Sequence, residues 1–324
     1  MNLSDHLGWD EAAIVRHGMP AVTLASGVAA GLGRVAHLRE TVRLHVRALA
    51  HPRATRRWLA LLNSHPALAE CVRHRPSVLN KIYRPYLTAT LGVSARLDVL
   101  GAHYAFLFRH GLAAMLCQAS GSGSGFLLAQ IAGKSGIGYD VVLRAAGTCE
   151  REGELVMQLC CAGAVVYATA FTFSTHGGVA VVSIGCLQGP RGSDAMAAIK
   201  QATRELHGLR AKALLVGLVQ QLGDALGCSE LRLVGNTNRT AGRALGRGQV
   251  RADYEQLWHE LGAVRRPDGD FVLPCAPLAP LDLEQVAQKR RSEARKRHQM
   301  LQAVTADVVD QFTGRGRPAL ALAA

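Results

Sequence analysis

The hydrophobic pattern of this chain changes period once, at the turn-rich run Ser120-Gly-Ser-Gly-Ser-Gly125. Upstream, apolar residues recur every three or four positions, as in Val35, Leu38, Val42, Val46 and Leu49, with Arg39, Arg43 and Arg47 on another face. That is the period of an amphipathic helix. Downstream, short apolar runs alternate with glycine-bearing breaks, the pattern of strands joined by short connections. Such a chain is expected to be α+β: a helical N-terminal part, then a mostly antiparallel sheet with flanking helices.

The helical period covers residues 34–62, broken at His51-Pro52, then a short helix before His74-Arg75-Pro76, one over 78–83, and a long one over 94–116. Strands are expected at 126–132, 140–146, 155–161, 165–174 and 179–187. Two helices follow, over 193–206 and 210–226, then a strand at 231–235, a helix at 254–261 and a strand at 271–273. A basic helix over 283–312 closes the pattern. The organisation reads as an N-terminal extension (1–33), a basic helical region (34–120), an α/β domain (121–312) and a tail (313–324).

Composition bounds the function. Of the 324 residues, 49% are hydrophobic and 19% charged, enough for a sizeable core. The net charge is +13, and residues 31–112 carry 13 basic side chains against 3 acidic ones. That excess favours an anionic ligand, either through a working surface or as a merely solvated basic face. Aromatics at 5% are too sparse for a single-strand binder built on base stacking. No helix-turn-helix is evident, so specific nucleic-acid binding is not expected. The eight cysteines show no C-x-x-C pair and no zinc spacing, and read as buried free thiols. Acidic residues Asp5, Asp10 and Glu11 stand where a signal peptide would be basic. A cytoplasmic protein is expected, with peripheral membrane contact at most.

Several motifs resemble those of the VirK/YbjX family of bacterial proteins. They are Lys81-Ile-Tyr-Arg-Pro-Tyr-Leu87, Ala102-His-Tyr-Ala-Phe-Leu107, Leu187-Gln-Gly-Pro-Arg-Gly192, His207-Gly-Leu-Arg-Ala-Lys212, and Ala252-Asp-Tyr-Glu with Trp258 and Glu260. The match runs from about residue 35 to 312, and Ala211 departs from it where proline is expected. The resemblance implies an accessory role in cell-envelope integrity, virulence or resistance to antimicrobial peptides, with a lipid precursor or an envelope-linked protein as partner. It carries over no reaction.

The turn Gln188-Gly-Pro-Arg-Gly-Ser-Asp194 between a strand and a helix is the leading candidate anion site. Free N–H groups at a helix start favour an anion, and Arg191 adds a bidentate donor. Gln188, Gly189, Arg191, Gly192 and Ser193, with Arg210 and Lys212, make up the candidate phosphate-binding set; a plainly capped turn is the alternative. The order of antiparallel strands, Gly/Arg turn, helix and later strand is also that of GNAT-type acyltransferases, where the turn holds the pyrophosphate of an acyl-CoA. Two helices intervene here where that fold usually has one. Acyl-CoA is thus the one candidate cofactor, and no metal is expected. Candidate acid–base residues are His207, Asp253 and His103, each with a structural alternative: a helix C-cap, an N-cap and a satisfied core histidine. Arg84, Tyr86, Tyr104, Asn236 and Tyr254 are candidate substrate contacts.

Overall fold

The computed structural model describes residues 20–29, 31–121, 123, 125–147, 149–190, 192–240 and 253–315. The helical part comprises α1 (Arg34–Ala50), α2 (Pro52–Asn63), α3 (Pro66–His74), a 3-10 segment (Pro76–Tyr83), α4 (Val93–Arg109) and α5 (Ala113–Gly121). Proline opens α2, α3 and the 3-10 segment, where a missing N–H costs nothing. The helix expected as one piece over 94–116 is two. Gly111 takes φ 71°, a left-handed turn that ends α4 and restarts the chain as α5.

An eight-stranded sheet follows: β1 (Phe126–Ala132), β2 (Gly138–Ala145), β3 (Leu155–Cys161), β4 (Ala164–His176), β5 (Val179–Gln188), β6 (Glu230–Leu233), β7 (Val264–Arg265) and β8 (Phe271–Pro274). The strand order is β1-β2-β3-β4-β5-β6-β8-β7. Every pairing is antiparallel except β5 with β6, which are parallel. A parallel neighbour requires a crossover. It is supplied by α6 (Ala195–Glu205) and α7 (Ala211–Ala225), while α8 (Glu255–Glu260) joins β6 to the β7–β8 hairpin and α9 (Arg291–Thr313) closes the chain. The architecture is the expected α+β, GNAT-like one: antiparallel meander, glycine turn, helices, parallel strand. The two-residue β7 is an addition, too short to leave a period in the sequence.

Alternate strand residues point to opposite faces. Leu155, Met157, Leu159, Phe171, Phe173, Val182 and Ile184 enter the main core, which also takes in Trp58, Leu100, Leu215 and Phe312. The N-terminal helices and the sheet therefore share one core across the glycine-serine run, whose Ser122 and Ser124 lie outside the described residues. A smaller cluster of Ala146, Cys149, Val156, Ala168 and Ala170 covers the other face. All eight cysteines are free thiols. Among the described residues, no helix is long and apolar enough to cross a membrane.

Candidate functional site

β5 and β6 pair only from Val181 with Glu230 to Ile184 with Leu233. Val234 N still donates to Ile184 O at 3.1 Å, and there the contact ends. β5 continues to Gln188 with β4 as its partner, while the chain after β6 turns away through a 3-10 turn at Asn236–Asn238. The parting leaves backbone groups of β5 to be satisfied by something other than a strand. Tyr254 does this: its hydroxyl accepts from Leu187 N at 3.0 Å and donates to Leu187 O at 2.7 Å. Arg239 donates to the same hydroxyl at 2.9 Å and lies 3.8 Å over the ring, a cation–π contact. Burial pushes the Tyr254 phenol well up, so the hydroxyl stays protonated.

Asn236 organises the residues around this opening. Its Nδ2 donates to Asp253 Oδ1 at 2.7 Å, its Oδ1 accepts from Tyr254 N at 3.1 Å, and its own N–H donates to Glu255 Oε1 at 2.9 Å. Asp253 Oδ1 also accepts from Glu255 N at 3.0 Å, so it holds the first turn of α8 from one residue before the N-cap, which is Tyr254 rather than the expected Asp253. The hydrogen bond from Asn236 holds the carboxyl below its usual range, with the α8 N–H groups and the Lys212 charge adding to it against partial burial. A carboxylate so stabilised is a poor proton acceptor, which counts against Asp253 as a general base.

α7 starts at the same end of the sheet. Arg210 is its N-cap, in extended conformation and without a side-chain cap, and its guanidinium pairs with Glu260. Lys212, the second residue of α7, acts electrostatically on both Asp253 and Glu260. The acids here are committed: Asp253 to α8, Glu255 to Asn236, Glu260 to Arg210. Lys212 has no ion-pair partner among the described residues. The opening therefore carries an unspent cation beside an uncapped helix start.

The glycine turn sits next to it along β5. Gln188 Oε1 accepts from the Cys149 thiol at 3.2 Å. A side chain on Gly189 would come within 3.2 Å of the Tyr167 ring, so glycine there permits the close approach. Gly192 has φ 104°, and the exposed Ser193 hydroxyl donates to Asp194 at 3.3 Å. Arg191 lies outside the described residues. The turn leads into α6, and α7, the helix that packs on β3 through β6, starts only after the second turn. His207 belongs to that second turn. His207 and Gly208 are both left-handed (φ 53° and 78°), and Gly208 N donates to Thr203 O at 2.9 Å, closing α6. The His207 side chain lines an open groove of about 610 Å³ with Arg290, Glu293 and Arg297 of the C-terminal segment.

The N-terminal candidates go elsewhere. Tyr86, His103 and Tyr104 are fully buried between the helices and β4. Tyr104 OH donates to Glu154 Oε2 at 2.6 Å, Glu154 Oε1 pairs with Lys81, and Tyr86 OH shares a 2.9 Å hydrogen bond with Thr172. Phe173 N donates to His103 Nδ1 at 3.1 Å, while Nε2 is buried with no partner. Burial lowers the imidazole to about 4, so it is neutral at physiological pH. Burial alone would raise Glu154, but Lys81, His103 and Arg75 pull it below the usual carboxylate range. Substrate contact by Tyr86 and Tyr104, and acid–base work by His103, do not fit this placement: the groups are sealed in the interior, bonded to Thr172, Glu154 and Phe173 N. Arg84 alone is partly exposed, 3.7 Å from Glu150.

Sequence reading did not single out Lys81, Glu154, Arg239 or Glu152. Lys81 was visible as a charge inside an apolar motif, and Glu154 as an acid at the mouth of an apolar strand. Gly153 is the local reason Glu154 reaches the core: a side chain there would sit 2.7 Å from Phe171 N. Glu152 Oε1 accepts from Thr240 at 2.7 Å, tying the β2–β3 connection to the opening.

The fold and its opening define an α+β protein with GNAT-like strand order and a polar site where its two parallel strands part. The chain belongs to the family described as "Protein of unknown function (DUF535)", whose profile matches residues 33–310. It is 28% identical over 273 residues to the uncharacterized protein YbjX of Escherichia coli (strain K12), covering 83% of this chain and 82% of that one. An uncharacterized protein of Haemophilus influenzae is 32% identical over 145 residues, 44% of this chain and 47% of its own. Among solved structures, a cAMP-binding acyltransferase from Mycobacterium smegmatis aligns at a TM-score of 0.29 and 12% identity, covering 72% of this chain and 66% of that one. A likeness that loose supports nothing about the chemistry of this chain.

Proposed function

We propose that this chain is a cytoplasmic accessory protein of the bacterial cell envelope that binds an anionic ligand at the parting of β5 and β6. The observation that carries the reading is the start of α7. It has no side-chain cap, it stands at the opening, and it bears Lys212, which has no ion pair among the described residues while Asp253, Glu255 and Glu260 are committed. Helix N-termini and unpaired cations favour phosphate and carboxylate groups. The envelope setting is what the VirK/YbjX motifs imply. A second reading, acyl transfer from a CoA-type donor, is favoured by the strand order, since donor phosphates in a GNAT-like sheet would lie at this end. Against a donor lying along β5 stands Tyr254, whose hydroxyl already takes both backbone groups of Leu187.

The test is thermal stability with acyl-CoAs, nucleotides and anionic lipid precursors. A ligand that binds the native state raises Tm by mass action. Lys212→Ala and Arg191→Ala should abolish the shift while leaving the Tm of the unliganded protein nearly unchanged. A shift with acyl-CoA alone moves the assignment to acyl transfer. No shift with any of these ligands overturns the reading.

A further inference from the structure

Helix α1 presents its apolar stripe outward. Its inner side is fixed by Leu44 and Ala48, both buried, by the close fit of Leu44 over Gly27, and by Arg47 donating to Asn80 at 2.9 Å. On the outer side stand Val35 (83% exposed), Leu38 (64%), Val42 (52%), Val46 (60%) and Leu49 (79%). At about 100° per residue these five fall within roughly 80° of arc, centred away from the buried side. Scattered exposed apolar residues need no explanation, but a contiguous row does. Among the described residues, the other large apolar side chains left exposed are Leu32, just before α1, and the isolated Val165, Val179, Met196 and Val264.

Charge frames the stripe. Arg39 and Arg43 run along one margin, and Arg34 and His45 along the other. Glu40, the one acid of the helix, projects from a different side and pairs there with Arg39 and Arg43. Arg53 and Arg56 of the neighbouring α2 are exposed and without ion-pair partners among the described residues. A second copy of this chain would bring arginine margins against arginine margins, which like-charge repulsion disfavours. An anionic lipid surface matches both features, with acyl chains for the stripe and phosphates for the arginines.

We propose that α1 lies in the plane of an anionic bilayer, with Val35, Leu38, Val42, Val46 and Leu49 inserted at the headgroup–acyl boundary and the flanking arginines on lipid phosphates. The helix is about 25 Å long at 1.5 Å per residue, long enough to lie across several headgroups. This surface is separate from the opening at β5 and β6 and stands without it.

The full-length protein is floated with vesicles of phosphatidylcholine containing 30% phosphatidylglycerol, and with phosphatidylcholine alone. Wild type should float with the anionic vesicles and not with the neutral ones. Leu38→Glu/Val42→Glu and Arg39→Glu/Arg43→Glu should each reduce binding at least ten-fold. Both pairs are solvent-exposed, so an unchanged Tm and circular dichroism spectrum certify the fold. Equal binding by wild type and Leu38→Glu/Val42→Glu would overturn the proposal, as would absence of binding by wild type. A wild-type dimer in light scattering that Leu38→Glu/Val42→Glu makes monomeric would also overturn it, assigning the face to a second copy. Flotation seen only after residues 1–19 are removed would overturn it too, because those residues would then be the occupant in the intact chain.

Discussion

Two sets of motif residues meet opposite fates in this fold. Those near the N-terminus, Lys81, Tyr86, His103 and Tyr104, are drawn with Glu154 into a sealed polar cluster between the helices and β4. Those of the C-terminal half, Gln188, Arg210, Lys212, Asn236, Asp253 and Tyr254, gather where β5 and β6 part, some of them open to solvent. The first set holds the two halves of the molecule together: Lys81 and Tyr104 come from the helical part, Glu154 from the mouth of β3. The second set leaves a cation unspent. A motif residue thus announces only that its position is demanding. Burial decides whether the demand is stability or ligand recognition.

The sharpest way to break this contrast is to remove one partner of the buried pair. Glu154→Ala strands the Lys81 ammonium, and the cost should be about 3–5 kcal/mol, enough to leave much of the protein insoluble. The double variant Lys81→Met/Glu154→Leu, which removes both charges, should recover most of that loss in a urea unfolding titration. If Glu154→Ala were as stable as wild type, the cluster would not be what joins the halves.

His103 gives the cluster a pH signature. Its folded value is about 4 against about 6.5 for a free imidazole. Below about pH 6.5 the unfolded chain takes up a proton that the folded chain refuses. Stability therefore falls as pH drops from 6.5 to 4, by on the order of 3 kcal/mol in all. Glu154, held below its ordinary range, contributes a loss only below about pH 4.5, overlapping the foot of the His103 window and extending beneath it. His103→Asn, which keeps an acceptor for Phe173 N, should flatten the upper window in pH-dependent unfolding and leave the lower one. A wild-type stability curve flat from pH 6.5 to 4.5 would contradict a neutral buried imidazole.

Much of the fold was legible because its elements obey local rules. Phe126–Ala132 and Leu155–Cys161 were bounded correctly by glycine breaks and apolar runs, and Pro66 marked a helix start, while Pro52 and Pro76, read as a break and an end, open the next segments. Gly111 escaped notice because one glycine inside an apolar helix does not disturb the period. The direction of the α1 stripe also escaped, since periodicity says that a helix has an apolar face and not what that face meets. The candidate site was half legible. Gln188, Arg210, Lys212, Asn236, Asp253 and Tyr254 converge as a set only through the β5–β6 crossover, a long-range relation that spacing does not encode. Lys81 and Glu154 are 73 residues apart, and no local pattern pairs them.

The smallest effect tests whether the open set is separable from the sealed one. Tyr254→Phe keeps the ring, its packing on Trp258 at 5.8 Å and the Arg239 contact over its face, and deletes one oxygen. Leu187 then loses the partner of both its N–H and its carbonyl, next to the place where β6 has already turned away. The cost should be about 1–3 kcal/mol, that of leaving a buried backbone group unpaired. Amide exchange should resolve where it falls: the protection of Leu187 should drop while Phe173, bonded to His103 in the sealed cluster, keeps its own. Equal loss of protection at both positions would mean that the two clusters open as one unit, and that the parting of β5 and β6 cannot admit a ligand without loosening the core that joins the helices to the sheet.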